Sequence, residues 1–205
     1  MKMSKGRLFI ISGPSGSGKD TLLVELFKIH PELKFSISSI TRDIRDNEKP
    51  GEKYDFISRE QFENMISKDE LLEYNVFVGN YYGTPKAPVV SAIENGEDII
   101  VEVDVNGASQ IRMKMPEAVS VFILPPSFDT LKKRLLNRGT ESEDRIKARL
   151  ECALAEIGRA DEYDYAVVND DLQKAVKELS DIISVDRLRV NRNQTLINSI
   201  LENVR

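Results

Sequence analysis

Two rhythms of apolar residues run along the chain. Apolar stretches at 8–11, 98–104, 119–124 and 165–170 predict core strands, and the near-continuous branched content of 98–104 predicts one buried on both faces, as in a parallel sheet. Between them the spacing is helical. Thr21, Leu22, Leu23, Leu26 and Phe27 predict a helix ending near Ile29, because His30 precedes Pro31. Ser127 caps a second helix whose Leu131 and Leu135 face the core. Ile146, Leu150, Leu154 and Ile157 mark the apolar side of a longer one, opened by a capping box at 140–143. Two amphipathic helices, one running through Leu179 to Val185 and one from Val190 to Val204, close the chain.

Residues 35–93 break this alternation. The run 35–38 reads as one short strand and 54–57 as another. Ser58 with Gln61 resembles a capping box that opens a helix through Ile66. Gly79-Asn80 between the runs 71–77 and 81–84 is a hairpin signal, and a helix from Pro85 to Ala92 is closed by Asn95-Gly96. The segment is therefore expected to be a small α+β lobe inserted into an α/β core. No internal repeat or low-complexity linker is present.

Composition narrows the class. At 205 residues, 40% hydrophobic and 31% charged, the chain fits one substantial globular core with insertions. A net charge of −5 argues against a general nucleic-acid binder, whose affinity rests on basic excess. Cys152 is the single cysteine, so there is no disulfide framework and no zinc spacing, and within its helix it is expected to be a small packing residue. No stretch reads as a signal peptide or membrane span, and the cytoplasm is the expected compartment.

The chemistry begins at Gly13-Pro14-Ser15-Gly16-Ser17-Gly18-Lys19, set between the first strand and the first helix. Glycines let backbone N–H groups turn inward around an anion, the helix N-terminus adds partial positive charge, and the lysine reaches the outer phosphates. Asp20 stands where Ser or Thr usually offers a hydroxyl to Mg²⁺. Arg42 and Arg45, three apart, either converge on one dianion or form a solvated surface pair. Glu102 and Asp104 end a core strand at the edge where open α/β sheets bind ligands, and are expected to hold Mg²⁺ through water or to hold substrate. Arg134 and Arg138 share one helix face and Arg145 and Arg149 another, on either side of Gly139. That hairpin is either a solvated surface or a lid carrying guanidinium groups over a triphosphate. His30, at the far end of the first helix, reads as a surface residue.

These motifs, in order, resemble the guanylate kinase family: the loop 13–19, then 38–45, 51–54, Glu73, 79–84, 102–107, 134–143 and Val168-Asn169-Asp170. The resemblance spans essentially the whole chain. It implies an α/β phosphate-loop nucleoside-monophosphate kinase fold. The five-stranded parallel core sheet (1–34, 94–126, 150–205) would have helices on both faces, with a GMP-binding lobe at 35–93 and a helical lid at 127–149. It implies transfer of the γ-phosphoryl group of MgATP to GMP. In that reading Gly13 to Lys19, Asp20, Thr21, Arg134, Arg138 and Asn169 bind ATP, and Lys19, Arg42, Arg138 and Arg149 act on the transferred group. Arg42, Arg45, Tyr54 and Tyr82 hold the GMP phosphate, while Ser38, Glu73, Thr84 and Asp104 read the guanine. Thr21 is expected to supply the hydroxyl that position 20 lacks, and Asp20 to act through Mg²⁺ by way of water. The substrates are ATP and GMP, with dGMP as a further acceptor and no nucleic acid or membrane partner. Nothing in the sequence separates a monomer from a homo-oligomer. Three positions depart from the family pattern: Ile40 for a small residue, Asn106 for Gln, and Asp20 for Ser or Gly. Two alternatives stand beside this one: a catalytically silent scaffold domain of the same fold, and a kinase for a different phosphorylated acceptor.

Overall fold

The computed structural model of the chain describes residues 5–46, 48–136 and 143–202. Its centre is β1 (Leu8–Ser12), buried along its whole length, which leads through the glycine loop into α1 (Lys19–Ile29). A core sheet forms around β1 from β2 (Lys34–Phe35), β7 (Ile99–Glu102), β8 (Val119–Leu124) and β9 (Tyr165–Val168). Its order is β2-β7-β1-β8-β9 and every pairing is parallel.

The period-two geometry of β1 divides its side chains between two cores. Phe9 and Ile11 join Leu22, Leu23 and Leu26 of α1, and Ala175, Val176, Leu179 and Ile183 of α7 (Leu172–Asp186), on one face. Leu8 and Ile10 pack on the other against Val89 and Ala92 of α3 (Lys86–Glu94) and Ala108 and Ile111 of α4 (Val105–Lys114). Each fully buried Leu, Ile or Phe contributes about 1.5–3 kcal/mol. Helices on both faces of a parallel sheet are the architecture expected from the strand pattern.

A second sheet, ordered β4-β3-β6-β5, contains β3 (Ser38–Ile40), β4 (Tyr54–Phe56), β5 (Leu71–Phe77) and β6 (Asn80–Pro85). α2 (Arg59–Ser67) covers one face, where Phe62 stacks on Tyr81 with ring centroids 4.9 Å apart. Ser58 and Gln61 form the anticipated capping box. The remaining α-helices among the described residues are α5 (Phe128–Leu136), α6 (Glu143–Ile157) and α8 (Gln194–Glu202), the last preceded by a 3-10 turn at Val190–Asn193 rather than starting at Val190.

Several local expectations are corrected. The run 35–38 is not one strand: Phe35 pairs with Ile100 in the core sheet, whereas Ser38 pairs with Tyr54 in the second. The chain changes sheets at Ser36-Ile37 because each sheet offers a partner for only one half of the run. The hairpin turn is Val78-Gly79, with φ of 48° and 76°, and Asn80 already pairs with Phe77. On α6 the buried position is Ala153, flanked by Leu150 and Ile157, while Leu154 is half exposed. Cys152 is likewise exposed and not a packing residue. The phase of that helix is set by Leu131 and Leu135 of α5, which its own periodicity could not reveal. Residues 140–142 of the expected capping box, and Val204, lie outside the described residues. His30 sits at the helix end as expected, bonded to Glu32 and Ser180.

Candidate active site

The site is a cleft of about 360 Å³ at the C-terminal edge of the core sheet. Its floor is the glycine loop. Gly13, Gly16 and Gly18 have φ of 144°, 90° and 90°, and Gly18 is the N-cap of α1 without a side-chain cap. A side chain in that backbone region is strained, so glycine is required to turn the loop N–H groups toward an anion. Lys19 donates to the carbonyls of Gly13 (2.5 Å) and Pro14 (3.3 Å), which holds its ammonium over the loop. Burial pulls Lys19 below the usual lysine range, with the Glu102 carboxylate opposing.

The loop is fastened from behind by residues named from the sequence. Asn169 donates to Ser17 O at 2.8 Å, and Arg134 donates to Ser17 O (3.2 Å) and Asn169 O (2.9 Å). Arg149 of α6 donates to Ser15 Oγ at 2.6 Å. Arg134, Asn169 and Arg149 are thus brought to the loop, whereas Arg138 lies outside the described residues.

The opposite wall comes from the second sheet, whose register collects its polar residues. Ser38 stands opposite Tyr54, Glu73 opposite Thr84, and Tyr82 opposite both Ile40 and Asn75. Alternation along each strand therefore places Ser38, Tyr54, Glu73, Tyr82 and Thr84 on one face, away from Phe62. Ser38 and Tyr54 line the cleft directly.

Glu73 is 5% exposed and accepts a 2.7 Å hydrogen bond from Thr84 Oγ1. Burial raises it to about pKa 7, against the hydrogen bond from Thr84, with the Asp104 charge adding to the rise. Gly107 makes this approach possible, since a Cβ there would lie 2.8 Å from Glu73 Oε2. Asp104 caps α4 by accepting from Gly107 N–H at 2.8 Å, and also accepts from the Asn75 amide at 3.0 Å.

Arg42 grips Glu48 through two 2.6 Å bonds, and the Arg45 backbone N–H donates to the same carboxylate at 3.0 Å. Arg42 is raised by the Glu48 hydrogen bond, with Tyr82 assisting, and Glu48 is held down at about pKa 2. The Arg42 guanidinium lies 5.4 Å from the Tyr54 ring centroid. So Arg42, Tyr54 and Tyr82 stand together, and a carboxylate occupies the bidentate position that a phosphate also suits.

Four residues of the site escaped sequence reasoning. Glu48 follows Arg42 by six positions in a loop, a separation with no fixed geometry. Glu156 lines the cleft, and its position seven after Arg149, on the same helix face, was a usable signal. Asn75 is two residues beyond Glu73 on one strand face. Lys53 had no local signal: its ammonium meets Asp20 Oδ1 at 2.5 Å and Glu102 Oε2 at 2.9 Å. Burial acts to lower Lys53, but the two carboxylates overcome it and raise it. Asp20 thus faces a lysine from the second sheet.

No group of three or more His, Cys, Asp or Glu among the described residues is arranged to hold a metal ion unaided. The donor set nonetheless suits Mg²⁺, which binds through one or two carboxylates, waters and substrate phosphates. Asp20, Thr21, Glu102, Asp104 and Glu156 supply such oxygens around the loop. No helix among the described residues is long and apolar enough to cross a membrane.

A glycine loop at the edge of a parallel sheet, faced by an inserted lobe bearing a buried carboxylate, defines a phosphate-loop kinase fold. Comparison with known proteins narrows the class. The guanylate kinase family model matches residues 5–186. The guanylate kinase of Carboxydothermus hydrogenoformans is 47% identical over 98% of this chain and 100% of its own length. That of Clostridioides difficile is 44% identical over 96% of each. The crystal structure of guanylate kinase from Anaplasma phagocytophilum superposes with a TM-score of 0.76 at 30% identity, covering 94% of this chain and 92% of that one. The chain belongs to the guanylate kinase family.

Proposed function

We propose that the chain transfers the γ-phosphoryl group of ATP to GMP, giving ADP and GDP. The observation that carries the acceptor is Glu73, a carboxylate almost wholly buried beside Thr84 and Asp104. Guanine presents N1–H and the 2-amino group side by side, and one carboxylate accepts both. Adenine has an acceptor at N1 and no 2-amino group, so it leaves a buried charge unpaired. A site built for such hydrogen bonds rejects the wrong ligand by roughly 10⁴-fold.

Ser38, Thr84 and Asp104 join Glu73 at the base, while Arg42, Arg45, Tyr54 and Tyr82 take the GMP phosphate, with Arg42 exchanging Glu48 for it. The backbone N–H groups of the loop from Gly13 to Thr21, Pro14 excepted, and the Lys19 ammonium take the ATP phosphates. Lys19, Arg42, Arg138 and Arg149 neutralise charge at the transferred group, Arg134 holds the loop that takes the ATP phosphates, and Asn169 borders the ATP base or ribose. A GMP phosphate oxygen is already anionic, so no side chain need remove a proton. The protein's contribution is positioning and charge neutralisation. The second-sheet segment 38–85 and residues 127–149 act as lobe and lid, closing to exclude water that would compete for the phosphoryl group, while Phe35 and α3 stay with the core sheet. Mg²⁺ supplies further neutralisation of the ATP phosphates, and Asp20, Thr21 and Glu102 would hold it through water. The reaction belongs to cytoplasmic guanine nucleotide metabolism, and dGMP is the expected second acceptor.

A coupled ADP-release assay with MgATP and GMP, dGMP, AMP, CMP or UMP tests this reading. Turnover is expected with GMP and dGMP. Turnover with AMP or UMP ahead of GMP overturns the role of Glu73, and none with any acceptor overturns the enzyme.

A further inference from the structure

Asp20 follows the phosphate-loop lysine directly and lies in the first turn of α1, where helix geometry favours a bound anion. Its side chain is 64% exposed, on the rim of the same cleft. A carboxylate there opposes the phosphates that the loop collects. The cleft wall adds Glu102, Asp104 and Glu156, so its acids outnumber Lys19.

Lys53 answers this excess from another part of the molecule. It belongs to the turn before β4, and its carbonyl accepts from Ser38 N–H at 3.2 Å, which fixes it beside β3. Its ammonium bridges Asp20 (2.5 Å) and Glu102 (2.9 Å), joining α1, the end of β7 and the inserted lobe at one point. It also lies 6.0 Å from the Tyr54 ring centroid.

We propose that Lys53 is a positioning residue for the nucleotide phosphates: it neutralises Asp20 and ties the acceptor lobe to the phosphate loop, so that residues 20 and 53 work as a pair. The inference rests on the kinase reading for its ligand. The pair replaces a small or hydroxyl side chain at position 20 with a carboxylate plus its own cation, which conserves local charge. Either member alone is harmful or superfluous.

The test is ADP binding by calorimetry in buffer containing EDTA, which removes any metal contribution of Asp20. Lys53→Met is expected to weaken ADP binding about tenfold, between the effects of one charge a few Å away in water and near a protein surface. Lys53→Met with Asp20→Ser should recover to within about threefold of the wild type, and Asp20→Asn alone should bind ADP at least as tightly as the wild type. The proposal is overturned if Lys53→Met stays within twofold, if the double variant is as weak as Lys53→Met, or if Asp20→Asn weakens binding. Lys53→Arg, which retains the charge, is the control: binding near wild type supports the pair, and a Met-like loss overturns it. Asp20→Asn decides the matter even if Lys53→Met does not fold, as judged by calorimetric melting. Wild-type turnover of GMP is scored separately. A chain that shows the ADP cycle but no GMP turnover loses the functional reading, not the pair.

Discussion

Replacing Glu73 by glutamine keeps the shape of the side chain and removes its charge, which separates the cost of the buried carboxylate from its use. The folded-state value of about 7 stands 2.5 units above the ordinary 4.5. At 1.36 kcal/mol per unit this is about 3 kcal/mol. The sign follows from which state holds the proton. Folded Glu73 retains it more tightly, so its contribution is fully present below pH 4.5 and is lost as pH rises through 7. Glutamine loses nothing over that window. Glu73→Gln should therefore melt close to the wild type near pH 4.5 and higher at pH 8, by about 6–12 °C for about 3 kcal/mol. Binding should move the other way. The amide accepts one guanine donor and presents its own N–H₂ to the other, which forfeits about 3–5 kcal/mol and weakens GMP roughly 10²–10⁴-fold. Calorimetric titration with GMP and, separately, with MgATP checks this, and MgATP affinity should not change. The GMP phosphate itself titrates near pH 6 in both proteins. The difference between their pH profiles therefore isolates Glu73, with wild-type affinity falling about tenfold per unit below pH 7. Equal loss of MgATP and GMP binding, or a melting difference that does not grow from pH 5 to pH 8, would refute the reasoning.

Two further outcomes concern stability alone. Val78 is an exposed β-branched residue at φ 48° in a two-residue hairpin turn. Val78→Asn, which suits that conformation, should stabilise by about 1 kcal/mol and raise the melting temperature by about 2–4 °C. An unchanged or lower melting temperature, with nucleotide binding intact, would contradict the turn assignment. Asp186 is fully enclosed and meets Arg7 (3.4 Å), Arg189 (3.0 Å) and Arg192 (3.3 Å), while Arg7 also pairs with Asp98 at 2.6 Å. Asp186→Ala should cost about 3 kcal/mol, because Arg7 keeps Asp98 and the other two arginines can reach water. Denaturant unfolding measures it, and a loss below 1 kcal/mol would show that the cluster repacks.

The features that were legible in the chain are those whose geometry is set within a few residues. The glycine loop and Lys19 are contiguous, and their backbone angles follow from glycine at Gly16 and Gly18. The Ser58–Gln61 box and the Ser127 cap are likewise local, closed by hydrogen bonds spanning three residues. The apolar runs of β1, β7 and β8 also announced a parallel sheet, because strands buried on both faces favour them, whereas the edge strand β9 leaves Ala166 and Val168 exposed. Legibility failed where the deciding contact was remote. Leu154 and Cys152 were placed by the phase of one helix, but its docking against Leu131 and Leu135 chose another stripe.

By itself, then, the sequence determined an α/β core, a phosphate loop, a small α+β insertion and the motifs that resemble the guanylate kinase family, since each is written in local spacing or ordered motifs. Only the tertiary structure decided how those pieces face one another. Strand register set Ser38, Tyr54, Glu73, Tyr82 and Thr84 on one face, and the absence of a side chain at Gly107 let the Glu73 carboxylate approach α4. Folding also carried Lys53 across thirty-three positions to Asp20. Charges act over ångströms of space, and separation along the chain does not specify such a distance until the fold closes it.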